Sequence, residues 1–323
     1  MSEWNEDKLD REMNAMAEEI PEPEKLEAKI IRSINRRIRR TVLGCLLVVA
    51  CVILGAVLVV EPLISGMYLN PYQLNQEPER TMLYVLRDYY ETVHPYRELA
   101  ILEVEEKGFA RYELRMQILD LTEPIRIETP NICFEMVRGV YRDYFSEDVP
   151  LHNMSRFTAQ WNDQEEMTRK ISELPQSALV YLSVSDTAPR DLETLRNLPV
   201  SVKWIQVYQP DVDFNGGINL EMVTLYEEDE DRREKTPEEL LAIYCGNLEN
   251  LVDHSDIWSQ LSLCDGRGTI YYEQSLTETW ENAKTLTSLE SKNYCVYGQR
   301  DEVVQFLQEN SLDSLYVENV RLW

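Results

Sequence analysis

TVLGCLLVVACVILGAVLVV, Thr41 to Val60, is twenty residues long and contains no charge and no proline. A helix rises about 1.5 Å per residue, so this run reaches about 30 Å, the thickness of a bilayer's hydrocarbon core. A buried helix of a soluble domain would run about 10–14 residues and carry polar interruptions. The run therefore reads as a transmembrane helix. Just before it, Arg32, Arg36, Arg37, Arg39 and Arg40 form a basic collar, and after Glu61 no basic residue occurs until Arg80. The positive-inside rule assigns the N-terminus to the cytoplasm and residues 61–323 to the outer side of a cell membrane. A cleaved signal peptide fits poorly, because its apolar region is short and close to the N-terminus. Val48-Val49-Ala50-Cys51 resembles a lipobox, yet nine more apolar residues follow Cys51, where a lipoprotein turns polar.

The 323 residues are 44% apolar with only 11 glycines, which excludes low-complexity and collagenous classes. The net charge of −26 repels phosphate backbones, so direct binding to nucleic acid is not expected. That charge is unevenly spread: residues 1–40 carry net −1 and residues 61–323 net −25. Within the tail, residues 1–27 hold three basic and ten acidic side chains, whereas 28–40 hold six basic and none acidic. An acidic arm is thus followed by a basic collar suited to an anionic leaflet of the lipid bilayer.

In the arm, Leu9, Met13, Met16 and Ile20 are spaced 4, 3 and 4, the period of one helical face, with carboxylates between them. Pro21-Glu22-Pro23 ends that helix. A second periodic stretch, Leu26, Ile30, Ile34 and Ile38, runs on toward the span. So short a helix with one apolar stripe is marginal in water, so the stripe calls for a cover. The groove of a cytoplasmic partner is the leading reading; a disordered acidic leader and self-pairing remain open beside it.

Four regions follow: a cytoplasmic helical tail (1–40), a transmembrane helix (41–60), a first ectodomain block (61–161) and a second (162–323). The fold class is a single-pass membrane protein with an α+β ectodomain. The first block predicts a helix over 79–91, a hairpin of Glu98–Glu105 and Ala110–Asp120 turning at Glu106-Lys107-Gly108, and a helix from Thr129-Pro130 through Phe145. In the second, strand Ala178–Ser185, helix Pro189–Leu198 and strand Val200–Tyr208 form one β-α-β unit. Tyr294–Tyr297, Arg300–Glu309 and Ser314–Arg321 form another. Two such units favour helices on one face of a sheet, with a ferredoxin-like arrangement as one outcome. Between them, Thr236-Pro237-Glu238-Glu239 is a capping box opening a helix with Leu240, Leu241, Tyr244, Leu248 and Leu251 on its buried side.

This layout resembles the membrane-bound anti-sigma factors of Gram-positive bacteria that carry sigma-factor-regulator N- and C-terminal domains. The resemblance rests on the Arg32–Val60 collar and span, on ETVHPYRELAILEVEEKGFARYELRMQILD (Glu91–Asp120), on LPQSALVYLSVSDTAPRDLETLRNLPVSVKWIQVY (Leu174–Tyr208), and on the stretch from Tyr294 to the end. It implies a negative regulator in bacterial envelope-stress signalling. The tail would hold an extracytoplasmic-function sigma factor at the membrane, and the ectodomain would respond to an outside signal, with a membrane co-regulator as a further partner. The zinc-type signature of some anti-sigma factors is absent, because no histidine precedes His94 and the first cysteines, Cys45 and Cys51, lie in the span. The inhibitory element would then be helical and metal-free. The alternative is an envelope sensor or scaffold whose tail binds another cytoplasmic protein.

No catalytic constellation, cofactor motif or metal site stands out, and no enzyme activity is expected. Asp253-His254-Ser255-Asp256 sets triad letters side by side, whereas triads are assembled in space. The acidic run Glu227–Asp231 lacks EF-hand spacing. Cys133, Cys245, Cys264 and Cys295 could form up to two disulfides, but their apolar neighbours favour reduced thiols packed as small hydrophobes.

Overall fold

The collar and the apolar run are one element. In a computed structural model, which describes residues 11, 13, 23–55, 67–76, 80–124, 132–146, 163–212, 216–221, 232–259 and 269–322, helix α1 (Pro23–Gly55) runs unbroken for 33 residues. Proline at its first position forfeits only an amide that has no partner in a first turn. The Ile34 and Ile38 stretch does join the span. Residues 56–60 of the expected span lie outside the described residues.

The chain divides into two units, Met1–Ile64 and Ser65–Trp323. In the second, the short helix α2 (Pro71–Gln76) is capped by the Asn70 carboxamide, which accepts the Gln73 amide at 3.0 Å. Helix α3 (Thr81–Val93) buries Met82, Leu83, Val85, Leu86, Tyr89 and Tyr90. Four antiparallel strands follow in sequential order: β1 (Arg97–Gly108), β2 (Arg111–Asp120), β3 (Ile132–Val137) and β4 (Val140–Ser146). Tyr112, Leu114, Met116, Ile132, Phe134 and Met136 line the buried face of this meander, while Arg111, Glu113, Arg115 and Glu135 alternate on the other. On that outer face Arg115 and Lys107 both pair with Glu105 and Glu113, and Arg111 pairs with Glu135.

The first hairpin forms as expected, but it turns at Phe109-Ala110, since Gly108 pairs with Arg111. The expected helix from Thr129 to Phe145 is corrected to the β3–β4 hairpin. Ile132, Phe134 and Met136 alternate with half-buried positions, a period of two that helix packing does not use. Arg138 and Gly139, with φ of 53° and 76°, make the two-residue turn between the paired Val137 and Val140. Positive φ at both central positions matches the twist of the flanking strands. The Thr129-Pro130 cap itself lies outside the described residues.

After α4 (Gln164–Ser172), capped by Asp163, the second sheet begins. Its strands are β5 (Leu179–Asp191), β6 (Ser201–Gln206), β7 (Gly217–Asn219), β8 (Glu290–Gln299) and β9 (Leu312–Arg321), ordered β7-β6-β8-β5-β9 with every neighbour antiparallel. Helix α5 (Leu192–Arg196) links β5 to β6, and α9 (Arg300–Glu309) links β8 to β9. Each β-α-β unit thus leaves a gap one strand wide, which a strand of the other unit fills. Strand β5 continues past the expected Ser185 through an irregularity to Asp191, leaving α5 shorter than the reading of 189–198. Between β7 and β8 come α6 (Pro237–Asp253), α7 (Ser255–Trp258) and α8 (Thr269–Ala283). Thr236 and Glu239 form the expected reciprocal cap of α6, which buries Leu240, Tyr244, Leu248 and Leu251.

One core holds apolar residues of both blocks, from Met82 and Phe134 to Val180, Tyr244 and Phe306. A second, smaller cluster joins Tyr96, Ala100, Leu119 and Leu121 to Tyr181, Trp204 and Cys295. Strand β5 is therefore covered on both faces: Val180, Leu182 and Val184 belong to the large core, and Tyr181 to the small one. Tyr96, at φ 62°, sends its hydroxyl to within 2.8 Å of both the Leu182 and Val296 carbonyl oxygens. The sequence boundary at 161/162 falls outside the described residues, and side chains from either side of it share both clusters.

Candidate functional site

The first candidate surface is on α1. From Ile31 to Gly55 it is long and apolar enough to cross a membrane, and none of that window is buried within the protein. Leu43, Leu46, Leu47, Val48, Val52 and Ile53 are all exposed. At about 100° per residue, Arg32, Arg36, Arg39 and Arg40 fall within an arc of about 100°, and Ile34 lies roughly opposite. All five collar arginines are exposed. The collar is thus a charged face on the same rigid rod as the apolar segment, so the basic charge and the span cannot move independently.

Of the Leu9, Met13, Met16 and Ile20 stripe expected to bind a partner, Met13 is described; it is helical and 61% exposed. Leu9, Met16 and Ile20 lie outside the described residues. Arg11 is also helical and exposed.

A second candidate was not found from the sequence: a buried polar cluster where α3 meets β7 and α6. The Glu91 Oε1 accepts the Asn219 amide at 2.8 Å and an Arg232 guanidinium N–H, and its Oε2 accepts from Asn247 Nδ2 at 3.3 Å. Its backbone carbonyl accepts the Trp204 indole N–H at 2.8 Å. The Glu91 side chain is 6% exposed and that of Arg232 11%, so this ion pair is nearly out of solvent. One helical turn earlier, Asp88 Oδ2 accepts from Asn250 Nδ2 at 2.6 Å. Burial raises the Asp88 carboxyl to about 7, the Asn250 hydrogen bond opposes the rise, Glu91 adds to it, and the charges of Arg87 and Arg232 oppose it. Among the described residues, side-chain polar atoms of Asn219 and Thr92 are buried with no hydrogen-bond partner.

Nothing local announces this arrangement. Asp88 and Glu91 read as solvated positions of an amphipathic helix, while Arg232 lies 141 residues from Glu91. The one available signal is an i,i+3 pair of carboxylates on a helix whose flanking positions Tyr89, Tyr90 and Thr92 are all buried.

Of the triad-like letters, His254 caps the C-terminus of α6, and Asp256 is in the first turn of α7. Among the described residues no group of three or more His, Cys, Asp or Glu is placed to hold a metal. Cys133, Cys245 and Cys295 are thiols rather than disulfides; Cys295 is buried and the other two are half-buried. Cys264 and the acidic run 227–231 lie outside the described residues. Compared with known proteins, the chain matches no family model, no curated protein and no solved structure.

Proposed function

We propose that the chain is a single-pass regulator of the cell membrane that sequesters an extracytoplasmic-function sigma factor through its cytoplasmic tail and responds, through its ectodomain, to a signal from outside. The observation that carries this reading is the continuous α1 rod, with a basic collar on its N-terminal half and a fully exposed apolar segment on the other. That rod gives the positive-inside argument a rigid frame: the collar stays with the cytoplasmic leaflet, and the tail before it stays in the cytoplasm. The alternation of collar, span and ectodomain agrees with the resemblance to anti-sigma factors. We also read the sheet order β6-β8-β5-β9, made of two interleaved β-α-β units, as ferredoxin-like, with β7 and the α6–α8 segment added between the units.

The inhibitory surface in this reading is the Leu9, Met13, Met16, Ile20 stripe. Its acidic surroundings would meet a sigma-factor surface that otherwise approaches promoter DNA. Seating Leu9 or Met13 in a groove contributes about 1.5–3 kcal/mol each, and an aspartate there adds the cost of an unpaired buried charge. The double variant Leu9→Asp/Met13→Asp should release the sigma factor and raise transcription of its regulon at an unchanged level of membrane protein. Sigma binding equal to wild type, measured by calorimetry on the tail, would remove this stripe from the proposal and move the surface to Leu26, Ile30 and Ile34.

A further inference from the structure

Ile31, Ile34 and Ile38 stand among the five collar arginines of α1, spaced 3 and 4. Continued at the same alternation of 4 and 3, the row enters the span at Thr41 and takes in Cys45, Val48, Val52 and Gly55. That is the heptad period of a helix–helix seam, sustained from Ile31 to Gly55. Toward the N-terminus the same spacing meets Glu27, so the row begins at Ile31. At about 100° per residue it keeps to one side of the rod, within an arc of about 120°. Leu43, Leu46, Leu47 and Leu54 fall on the other side, the side of Arg32, Arg36, Arg39 and Arg40. We propose that α1 packs along this row against the same row of a second copy of the chain, forming a parallel helical pair that runs from the collar into the bilayer. The inference rests on α1 crossing the membrane, not on the identity of the tail's partner.

The collar end of the row is what calls for a protein partner. Lipid covers apolar side chains in the hydrocarbon core and partly in the headgroup layer, which adds about 5–8 Å on each side. The arginines hold residues 32–40 outside that core. Ile34 and Ile31 then stand about 10 Å and 15 Å before Thr41 along the axis, and an average tilt of about 20° shortens these heights by less than about a tenth. Only a bend at the collar would lay the isoleucines on the bilayer surface, and α1 is unbroken from Pro23 to Gly55. Ile31, Ile34 and Ile38 are 56%, 49% and 55% exposed among the described residues. Within the span, close packing makes a helix pair; Gly55 on the row and Gly44 beside it open the backbone, and a Cβ on either would meet nothing within 4 Å among the described residues. Three features fit this surface to a second α1. Every copy enters the bilayer with the same orientation and depth, so two rows meet parallel and level. Arg37, the arginine nearest the row, faces Val42 of a parallel copy, and the others lie farther round the rod, so no cation meets another at the seam. A period of 3.5 rather than 3.6 is what two helices wound about each other require.

The test is cysteine cross-linking of the full chain in isolated cell membranes with copper phenanthroline as oxidant, read as a product of two chains. Cys45 lies on the row and Cys51 beside it, both as thiols. Wild type should give the product, and Cys45→Ala should lower it several-fold. In a Cys45→Ala/Cys51→Ala background, Ile31→Cys, Ile34→Cys and Ile38→Cys should each cross-link several-fold more than Arg32→Cys, Ser33→Cys or Arg36→Cys. With Cys45 restored, Ile34→Glu should lower its product several-fold, whereas Ser33→Glu, the same charge one position round the helix, should leave it unchanged. Equal yields across the cysteine scan, or equal yields from the two glutamate variants, overturn the pairing. Should a glutamate variant fail to accumulate, the scan decides. A product in which mass spectrometry finds the row joined to a chain of different sequence overturns the second copy as occupant. Resistance to alkaline carbonate is measured on every sample: a chain that washes out overturns the span and the pairing with it, while a retained chain with a flat scan overturns the pairing alone.

Discussion

Glu91→Gln is the sharpest perturbation of the unit Ser65–Trp323, because it keeps the shape and removes only a charge and an acceptor. In the wild type three donors converge on this carboxylate: the Asn219 amide, the Arg232 guanidinium and the Asn247 carboxamide. A glutamine offers one carbonyl oxygen, so its own NH₂ group must face a donor. Arg232, whose side chain is 11% exposed, is left with little solvent to replace its partner. Removing one member of a buried ion pair costs about 3–5 kcal/mol, and the isosteric change belongs at the lower end. For a unit of this size each kcal/mol is worth about 2–4 °C, so thermal unfolding should fall by roughly 6–12 °C. Arg232→Met should destabilise for the mirror-image reason. The double variant, which strands no charge, should lose less than the sum of the two by about 1–3 kcal/mol. Differential scanning fluorimetry on the full chain reads all three. A Glu91→Gln protein within about 1 °C of wild type, or strictly additive losses, would refute the claim that this pair is buried and coupled.

Gly217→Ala should be poorly tolerated, since its Cβ would sit 1.8 Å from Trp204 Cζ2 in the paired strand; loss of the blue-shifted emission of buried tryptophan, or of soluble protein, checks this. Tyr96→Phe removes a hydroxyl from two buried carbonyls and should cost about 1–3 kcal/mol in urea titration, whereas no change would mean that those oxygens are satisfied elsewhere. A cysteine at position 2 (Ser2→Cys) should stay unlabelled by an impermeant thiol reagent in intact cells, and labelling there would reverse the proposed orientation. Arg36→Gln with Arg37→Gln should disturb that topology before it disturbs partner binding.

Sequence legibility followed the range of the interactions. The Gln299–Glu302 reciprocal cap and the positions Val303, Phe306 and Leu307 lie within ten residues, and the helix read over 300–309 has those bounds. The α6 cap was equally local. Helix α8 passed unseen because Leu276, Trp280 and Ala283 supply its spacing only thinly among threonines and glutamates. At β3–β4 a proline-led cap signature competed with a two-residue period, and strand pairing decided the outcome. The Glu91 cluster joins residues more than a hundred positions apart, and no window of sequence contains both halves of it. The long apolar run needed no partner to be recognised, because length and composition define it alone.

The interleaving of the two β-α-β units also sets a timetable for the growing chain. Strand β5 finds its hydrogen-bonding neighbours in β8 and β9, so when residues 179–191 are made the strands that will flank them do not yet exist. About a hundred further residues must be synthesised before β8 can insert between β5 and β6, and the last strand to arrive closes the edge. At about 5–20 residues per second, that leaves β5, which the finished fold buries on both faces, waiting for several seconds. Such a strand has every reason to pair with the wrong neighbour in the interval. Translation that stops short of β8 would leave not a smaller domain but an adhesive one, making truncated chains natural substrates for holding chaperones and quality-control proteases.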